Sequence, residues 1–309
     1  MSDTATFERH RAHLLNIAYR MLGEMAAAED VVQEAWLRWQ RTDGEDIRDP
    51  RAWLSAATVR LSLDALRKVR ARRESYVGPW LPEPLLPDDT RAFAADAPAA
   101  RAELASDLSL ALLHVLERLA PEERAALILH DAFDCDYGEI ASMLDKNEAA
   151  CRKLVSRARE RVKADRPRFT TSREAHRDLL QRFAKASSSS DPSEMMALLA
   201  PDAIAYTDGG GRVAAALNPI YGPDKIARFI HGLGRKFYAN AKLDMDMTEL
   251  NGQPAIVVRE GEEMLGVMTI ETDGEKITTL YGLRNPDKLQ RLMDLLKLNA
   301  PESSSSAVQ

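Results

Sequence analysis

The stretch YGEIASMLDKNEAACRKLVSRARERVK, residues 137–163, decides how the middle of this chain folds. Apolar residues recur at helical spacing on both sides of a short polar turn at 145–147. These apolar positions are Ile140, Ala141 and Leu144 before the turn, and Cys151, Leu154, Val155, Ala158 and Val162 after it. Two helices can pack together through such faces, so the stretch predicts a helix-turn-helix.

The second of these helices has a basic outer face. Removing its apolar stripe leaves Arg152, Ser156, Arg159 and Lys163 on one side, with Lys153 and Arg157 beside them and Glu148 and Ala149 at the helix start. Side chains arranged in this way can contact phosphates and base edges in a DNA major groove. A basic face that is only solvated is the alternative interpretation, and the helix considered alone does not separate the two.

The net charge of −6, from 42 basic and 48 acidic side chains, conceals an uneven distribution. Residues 51–73 hold seven basic residues and one acidic residue, a net +6, and residues 146–168 hold nine basic and three acidic residues, also +6. The rest of the chain therefore carries −18. Two basic segments in an otherwise acidic protein indicate two separate phosphate-binding surfaces.

The N-terminal segment, residues 5–73, is predicted to be a small helical domain. Apolar residues recur at helical spacing around Leu14, and again through Trp36 and Trp39. A loop near 43–50 then precedes a further helix. Trp36 and Trp39 are expected to serve the core of this domain rather than a binding surface.

Residues 74–105 are predicted to be a linker, because several prolines there oppose regular secondary structure. The stretch WLPEPLLPDD at 80–89 is too apolar for a purely solvated tether, so part of it is expected to dock on a domain surface. Its apolar residues are Trp80, Leu81, Leu85 and Leu86. A second helical domain, which includes the helix-turn-helix, is predicted at 106–168.

The remaining segment, residues 173–296, is predicted to form an α+β domain. It opens with helical spacing and continues with β-forming stretches that glycines separate, such as PAIVVRE and KITTLYGL. The polar segment at 297–309 is expected to be a disordered tail.

Two further stretches, together with the helix-turn-helix, carry a family resemblance. AEDVVQEAWLRW at 28–39 and DPRAWLSAATVRLSLDALRK at 49–68 resemble region 2 of the sigma-70 family, and the helix-turn-helix resembles region 4. No large block lies between them, which resembles the extracytoplasmic-function group of sigma factors. The resemblance covers residues 7–165 and implies a multidomain fold that contains two all-α sigma domains.

This resemblance implies that the protein binds RNA polymerase core, through the β′ clamp and the β flap, and directs it to promoter DNA. The helix that begins at residue 30 would meet the clamp through Asp30, Gln33, Glu34 and Arg38. Region 2 would open and read the minus-ten element through Arg60, Arg67, Lys68 and Arg70. Region 4 would read the minus-thirty-five element as duplex DNA through Glu148, Ala149, Arg152, Lys153, Ser156, Arg157 and Arg159.

Three short motifs resemble a narrower, SigJ-like subgroup: WLPEP at 80–84, DGGGR at 208–212 and NPDKL at 285–289. Arg212 stands where a lysine is expected. In that subgroup a fused SnoaL-like domain, an α+β fold whose curved, largely antiparallel sheet surrounds a conical cavity, regulates the sigma domains in cis without a separate anti-sigma factor. The residues implied in this regulation are Trp80, Leu81, Pro82, Glu83, Pro84, Asp208, Gly209, Gly210, Gly211, Asn285, Pro286, Asp287, Lys288 and Leu289.

Two of these motifs also have ordinary structural explanations. The glycines at 209–211 could form only a flexible hairpin, or they could allow another segment to approach the backbone closely, and both can hold together. Asn285 could cap a helix that starts at Pro286, with Leu289 and Leu292 packed behind it. In that case the motif would act by positioning the last helix against the sigma domains.

An enzyme is a weaker alternative. Acid–base chemistry in the C-terminal cavity would need a carboxylate or a histidine, for which Asp208, Asp244, Asp246 and His231 are available. Alternation along a strand places Asp244 and Asp246 on one face, toward the cavity or solvent, and Met245 and Met247 on the core side. A cavity that binds a small-molecule signal and a purely structural clamp are further alternatives, which the sequence does not separate.

The sequence indicates no catalytic residue, no cofactor and no metal site. Cys135 and Cys151 are not spaced as a zinc site or a disulfide framework and are expected to be buried or half-buried thiols. A glycine-rich phosphate loop is also missing. Because no run approaches the roughly twenty apolar residues of a membrane span and no signal-peptide pattern is found, we expect a cytoplasmic protein without a membrane partner.

Overall fold

The computed structural model of the chain begins with helices packed around a common core. It describes residues 4–42, 47–73, 75–93, 108–165, 171–189, 191–238 and 241–298. Helix α1 spans Thr4–Leu22, helix α2 spans Met25–Arg41 and helix α3 spans Pro50–Arg73. Leu14 and Leu54 are fully buried where these helices meet, as the helical spacing of their apolar residues predicts.

The tryptophans of this first helical unit lie in or beside its core. Trp39 is buried, and its ring centroid lies 5.5 Å from that of Trp53. Trp36 is half-buried, with its ring centroid 4.8 Å from that of Phe7. Tilted aromatic pairs of this kind stabilise a core beyond the burial of their surface. The expectation that Trp36 and Trp39 serve the core is confirmed.

The segment after the first unit contains a helix that the proline content did not predict. Helix α4 spans Pro87–Phe93. Pro87 stands in its first turn, where a missing N–H costs nothing, and Asp88 and Asp89 follow near the positive end of the helix dipole. The expectation of irregular structure is therefore wrong for these residues. Residues 94–105 of the predicted linker lie outside the described residues.

The linker ahead of α4 is extended and packs against both the N-terminal helices and the C-terminal domain. Its apolar side chains, Trp80, Leu81, Leu85 and Leu86, are all buried. Leu85 belongs to the apolar cluster of the first helices, whereas Leu81 and Leu86 belong to a cluster shared with the C-terminal sheet. The linker thus lies between the first helical unit and the C-terminal domain.

The second helical unit contains the predicted helix-turn-helix. Helices α5, α6, α7 and α8 span Leu110–Glu117, Pro121–Phe133, Tyr137–Leu144 and Glu148–Asp165. The turn between α7 and α8 begins at Asp145, whose φ of 54° lies in the left-handed region that ends many helices. Asn147 then caps α8, because its Oδ1 accepts a hydrogen bond from the Ala150 N–H at 2.8 Å. The helix-turn-helix prediction is confirmed.

The two helical units share one core. Cys151, Val155 and Ala158 of the predicted α8 stripe are buried in the same apolar cluster as residues of α1, α2 and α3. Arg124 of α6 is also buried between the units, and its Nε donates a hydrogen bond to the Arg20 carbonyl at 3.1 Å. The units therefore pack directly on each other.

The C-terminal part confirms the α+β prediction. Its described residues form a six-stranded sheet in the order β2-β1-β6-β5-β4-β3, in which β1 and β6 are parallel and the other neighbours are antiparallel. The strands β1 to β6 span Leu199–Asp208, Ile220–Tyr221, Leu243–Leu250, Gln253–Glu260, Glu263–Thr272 and Ile277–Leu283. The helices α9 to α12 span Arg173–Ser188, Pro192–Leu198, Pro223–Phe237 and Pro286–Leu298.

Two elements of this domain were not identified from the sequence. Strand β2 has only two residues, which is too short for an alternation pattern. Helix α11 contains Gly232 and Gly234, which lower its helix propensity. On β3 the alternation is as predicted, since Met245 and Met247 pack against the domain core while Asp244 and Asp246 are exposed.

Both cysteines are free, as expected: Cys151 is buried and Cys135 is half-buried. Burial raises the pKa of the Cys135 thiol to about 11, so this side chain stays protonated at neutral pH. Among the helices that the structure describes, none is both long enough and apolar enough to cross a bilayer.

Candidate DNA-binding surfaces and interdomain contact

The outer face of α8 is open to solvent. All seven predicted duplex contacts are exposed, namely Glu148, Ala149, Arg152, Lys153, Ser156, Arg157 and Arg159. Arg152, Ser156, Arg159 and Lys163 line an open groove of about 260 Å³ together with Tyr137 of α7. Its cations and its hydroxyl group can hold a phosphate of the DNA backbone, although carboxylates also lie close: Glu160 lines the groove and Glu148 pairs with Arg152 at 2.5 Å. This face has the accessibility that duplex binding requires.

The basic side of α3 is partly occupied by the second helical unit. Arg60 donates hydrogen bonds to the backbone carbonyls of Ser142 at 2.9 Å and Met143 at 3.1 Å, near the end of α7. Carbonyls at the C-terminus of a helix carry partial negative charge and attract a cation. The helix-turn-helix therefore holds the Arg60 guanidinium.

Arg67 contacts the same unit. Its guanidinium lies 3.2 Å from the Asp64 carboxylate and 3.5 Å from that of Glu122 in α6. Lys68 is exposed, and Arg70 lies in α3 with a side chain outside the described residues. Of the predicted strand contacts, Arg60 and Arg67 thus touch the second unit, whereas Lys68 faces solvent.

The polar side of α2 is accessible. Asp30, Gln33 and Arg38 are exposed, and half-buried Glu34 forms an ion pair with Arg38 at 3.1 Å. Their spacing of three or four residues brings them to one side of the helix. Leu37, 36% exposed, adds an apolar group to this face. The residues predicted to bind polymerase therefore share one open surface.

Asp208 is the centre of a buried contact between the linker and the C-terminal domain. It is 0% exposed. Its Oδ1 accepts hydrogen bonds from the Tyr76 hydroxyl at 2.5 Å and the Gly210 N–H at 3.0 Å. Its Oδ2 accepts them from the Leu81 N–H at 2.9 Å and the Lys288 ammonium at 2.7 Å. We name this group of residues the Asp208 cluster: Tyr76, Leu81, Asp208, Asn285 and Lys288.

Lys288 connects α12 to the linker at several points. Its ammonium donates a hydrogen bond to the Leu81 carbonyl at 2.5 Å and lies 4.1 Å from the centroid of a Trp80 ring and 5.1 Å from that of Tyr76. Aromatic faces attract a cation. Burial and the hydrogen bond to Asp208 raise the pKa of Tyr76, which therefore remains a donor. Hydrogen-bond partners therefore surround the buried Asp208–Lys288 ion pair and offset the cost of removing both charges from water.

The glycines after Asp208 serve both as a turn and as a site of close approach. Gly210 has a φ of 62°, which glycine adopts readily. A Cβ at this position would lie 2.5 Å from the Asn285 side chain, and one on Gly209 would lie 2.4 Å from the Val213 carbonyl. The interpretation of close approach therefore holds, and the glycines also form a turn.

The end of the same turn meets the linker and α12. A Cβ on Gly211 would lie 3.1 Å from the Val77 side chain. Arg212, where the resemblance led us to expect a lysine, forms an exposed ion pair with Asp287 at 3.0 Å. The substitution keeps a positive charge at this point of the contact.

Asn285 caps α12 and also reaches the linker. Its Oδ1 accepts a hydrogen bond from the Asp287 N–H at 3.0 Å, and its amide donates to the Tyr76 hydroxyl at 2.9 Å. Helix α12 begins at Pro286, and Leu289 is buried behind it. The capping prediction is confirmed, and the capping side chain belongs to the Asp208 cluster as well.

Glu83 connects the linker to the junction of α1 and α2. Its carboxylate accepts a hydrogen bond at 2.8 Å from the Met25 N–H, at the start of α2, and its carbonyl accepts one at 2.7 Å from the Tyr19 hydroxyl. The helix dipole favours a carboxylate at this position, although burial raises the pKa of Glu83. Pro82 and Pro84 on either side are buried.

Asn251, at the β3–β4 turn, is an interdomain residue that the sequence analysis missed. It is fully buried and exchanges two hydrogen bonds of 2.9 Å with the backbone of Leu85. Its amide also donates to the Tyr19 hydroxyl at 3.0 Å and the Leu108 carbonyl at 2.9 Å. One side chain therefore joins the C-terminal domain to the linker and both helical units. In the sequence, the Asn251-Gly252 dipeptide indicates only a tight hairpin turn, so it gave no sign of this interdomain role.

An aromatic contact between α5 and the sheet was missed as well. Tyr206 and Tyr281 occupy paired positions of β1 and β6, with stacked rings 5.7 Å apart. The His114 ring lies 4.6 Å from that of Tyr206, whose hydroxyl accepts a hydrogen bond from Arg118 at 3.1 Å. The second helical unit is therefore packed on the C-terminal sheet.

Comparison with known proteins assigns these units. Sigma-70 region 2 matches residues 6–73 and sigma-70 region 4 matches residues 109–162. The "ECF RNA polymerase sigma factor SigJ" of Mycobacterium tuberculosis is 38% identical over 297 residues, which cover 93% of each chain. The chain belongs to the extracytoplasmic-function sigma factors of the sigma-70 family. Its first helical unit is region 2 and its second is region 4.

Further relatives of this sigma factor agree with the assignment. The "Probable ECF RNA polymerase sigma factor SigI" of M. tuberculosis is 30% identical over 291 residues, 94% of this chain and 95% of its own. The crystal structure of M. tuberculosis SigJ superposes with a TM-score of 0.70 at 35% identity and covers 93% of this chain and 98% of its own. The six-stranded C-terminal domain fits the SnoaL-like fusion expected for a SigJ-like sigma factor.

The three aspartates considered for acid–base chemistry in this sigma factor are not brought together, and His231 lies on α11. Asp208 lies on β1 inside the Asp208 cluster, whereas Asp244 and Asp246 lie on β3, with β6, β5 and β4 between. Asp246 is exposed and paired with Arg259 at 2.5 Å. Among the described residues, no group of three or more His, Cys, Asp or Glu side chains is placed to hold a metal ion.

Proposed function

We propose that this sigma factor binds RNA polymerase core and directs it to promoters through two surfaces. Region 4 reads the minus-thirty-five element as duplex DNA through α8 and docks on the β flap. Region 2 opens and reads the minus-ten element through α3. The open face of α2 binds the β′ clamp, and the protein acts in the cytoplasm with the polymerase. The exposed basic face of α8, in a chain that matches both sigma regions, carries this proposal.

We further propose that the C-terminal domain controls this activity in cis. The Asp208 cluster ties that domain to the linker, and Asn251 ties it to both sigma regions. In this arrangement Arg60 and Arg67 contact region 4 instead of a promoter strand. Strand opening requires α3 to separate from α7. The strength of the interdomain contacts then sets the fraction of chains that can initiate transcription.

Control of this kind needs no separate anti-sigma factor. A small-molecule ligand bound to the C-terminal domain is one candidate for the signal that changes the strength of the interdomain contacts. The buried Nε2 atoms of His176 and His231, both in the C-terminal domain, have no hydrogen-bond partner among the described residues. A buried polar atom without a partner is costly, and a polar ligand would satisfy it. Burial lowers the pKa of His176, so its ring would meet such a ligand in the neutral form.

Promoter-specific transcription in vitro tests both proposals. RNA polymerase core is combined with the full chain or with a chain that ends near residue 168, at one salt concentration because salt screens phosphate contacts. We expect specific initiation by both chains, with more transcript from the shorter one. Arg152→Ala in each chain is the control, since it should reduce transcript from the matched promoter in both.

The outcomes separate the two proposals. Failure of both folded chains on a range of promoters would overturn the sigma function and favour an enzyme or another kind of DNA-binding protein. Equal transcript from the two chains would overturn control in cis while leaving the sigma function intact. A separate anti-sigma factor would then be the better explanation of regulation.

A further inference from the structure

Arg159, a predicted duplex contact, is held by a residue that lies outside α8. Its Nε donates a hydrogen bond to Asp131 Oδ2 at 3.1 Å, and its Nη2 pairs with Asp131 Oδ1. The same Nη2 lies 3.1 Å from His130 Nδ1. Two bonds to one carboxylate fix the plane of a guanidinium group. Asp131, in the last turn of α6, therefore sets the direction of a side chain that belongs to α8.

Tyr137, the first residue of α7, extends this arrangement to Arg152. Its ring centroid lies 4.8 Å from that of His130, and the Arg152 guanidinium lies 5.0 Å from the Tyr137 centroid. Arg152 and Arg159 are two helical turns apart, so their side chains leave the same face of α8. We name the set His130, Asp131, Tyr137, Arg152 and Arg159 the Arg159 cluster.

We propose that Asp131 and Tyr137 are positioning residues for recognition of the minus-thirty-five element, acting through Arg159 and Arg152. This inference rests on the proposed role of α8 in duplex binding. A free arginine loses rotamer freedom when it binds DNA, and an arginine that is already held loses less. Asp131 uses two of the five N–H donors of Arg159 and His130 Nδ1 lies beside a third, which leaves the two N–H groups of Nη1 for a phosphate or a base edge.

A competing role for Asp131 predicts the opposite result. A carboxylate beside the groove could simply repel phosphates, in which case its neutralisation would strengthen binding to any DNA. Glu160 supplies the matched control, because it is exposed, lines the same groove and follows Arg159 directly. Neutralising Glu160 removes one negative charge at nearly the same place without touching the pair between Asp131 and Arg159.

The test uses the full-length chain and a pool of duplex DNA with a short randomised window. Bound duplexes are sequenced to obtain base preferences, and affinities are then measured for a preferred and a scrambled duplex. We expect Asp131→Asn to weaken binding to the preferred duplex on the order of three- to tenfold, since it frees one long side chain. Binding to the scrambled duplex should change far less, and Glu160→Gln should strengthen both slightly.

A double-substitution comparison separates positioning from a general effect on folding. In an Arg159→Ala background, Asp131→Asn should lose its effect on the preferred duplex, because the residue it acts through is gone. The base preferences lost in Asp131→Asn should match those lost in Arg159→Ala. Equal weakening in both backgrounds, or strengthened binding like that of Glu160→Gln, would overturn the role of Asp131.

Tyr137 is tested by conservative rescue. Tyr137→Phe keeps the aromatic face under Arg152 and should preserve discrimination between the two duplexes, whereas Tyr137→Leu should reduce it a few-fold. Equal discrimination by Tyr137→Leu and the wild type would overturn its role. A wild-type chain that shows no base preference would overturn the proposed function of α8, and this inference with it.

Discussion

Helices α3 and α8 lie in segments of equal positive charge, yet they differ in what surrounds them. The segments 51–73 and 146–168 each carry a net +6. The basic face of α8 lines an open groove, whereas α3 shares Arg60 with the carbonyls at the end of α7. Charge along the sequence therefore identifies both candidate surfaces, but only the fold distinguishes the open surface from the partly covered one.

This difference matches the two steps proposed for promoter binding. Duplex DNA is present before the strands separate, so a duplex-reading surface is needed at the first step. The strand-reading surface is needed only once the promoter opens. Under the proposed function, α8 can therefore contact duplex DNA in the arrangement that the structure shows, in which Arg60 and Arg67 are in contact with region 4.

The largest expected effect comes from breaking the Asp208 cluster. Lys288→Met leaves the buried Asp208 carboxylate without its cation, and losing one half of a buried ion pair costs about 3–5 kcal/mol. We expect the linker to detach and α3 to become accessible, so that a fluorescent single strand of minus-ten sequence binds the chain at least about tenfold more tightly. Anisotropy measures this affinity.

Lys225→Met is the matched control for that experiment, because Lys225 is exposed on α11 of the same domain. It should leave strand binding unchanged. Unchanged strand binding by the Lys288→Met chain, with its loss of interdomain contact verified by amide hydrogen exchange, would show that the Asp208 cluster does not control access to α3.

Arg152→Ala tests whether the duplex-binding surface of α8 acts separately from the strand-binding surface of α3. Losing one arginine contact to a base costs about 1–3 kcal/mol and relaxes specificity at that position. We expect weaker binding to a matched minus-thirty-five duplex and unchanged binding to the minus-ten strand. Arg182→Ala, on α9 outside both sigma regions, is the control. A parallel loss on both kinds of DNA would mean that the two surfaces are not separate.

Arg60→Ala should have a smaller effect, on both the contact between regions 2 and 4 and the binding of the minus-ten strand. The chain loses two hydrogen bonds from a charged donor, about 1 kcal/mol after allowance for solvent exposure. Amide exchange near the end of α7 should accelerate, while strand binding in the Lys288→Met background should weaken. Arg51→Ala, at the exposed start of α3, is the control. Normal exchange in Arg60→Ala would mean that Arg60 does not help to hold regions 2 and 4 together.

The smallest effect is expected for Lys163→Ala. A lost phosphate contact should lower the slope of log affinity against log salt by about one for duplex DNA, with little change in base preference. Titrations of duplex binding at several salt concentrations measure this slope. Lys68→Ala changes the other basic surface and should leave the slope unchanged. Equal slopes for Lys163→Ala and the wild type would remove Lys163 from the duplex contacts.

The sequence predicted the elements of the sigma regions well, because their signals are local. The stripe from Cys151 to Val162 and the cap at Asn147 arise from residues within one turn or two of each other. The strands of the C-terminal domain other than the two-residue β2 also followed from alternation, as for Met245 and Met247. Helix α4 shows where local reasoning failed, since the proline that was taken as a breaker occupies a helix start.

The contacts between domains were harder to predict because their partners are distant in sequence. The three motifs indicated that Asp208 and Lys288 would take part in one interface, but not that a single carboxylate would accept bonds from the linker, the turn and α12. Asn251 carried no signal beyond its own hairpin. The accessibility of Arg60 was equally unpredictable, because it depends on how region 4 packs against α3.

The Asp208 cluster also fixes when the proposed control in cis can begin during protein synthesis. Domains fold in order as the chain leaves the ribosome, and regions 2 and 4 are complete before Asp208 has been made. Lys288 follows Asp208 by a further 80 residues. A nascent chain that has passed region 4 but has not reached α12 therefore contains both proposed DNA-binding surfaces but lacks the cation of the Asp208 cluster, so the proposed restraint begins only once α12 has been made.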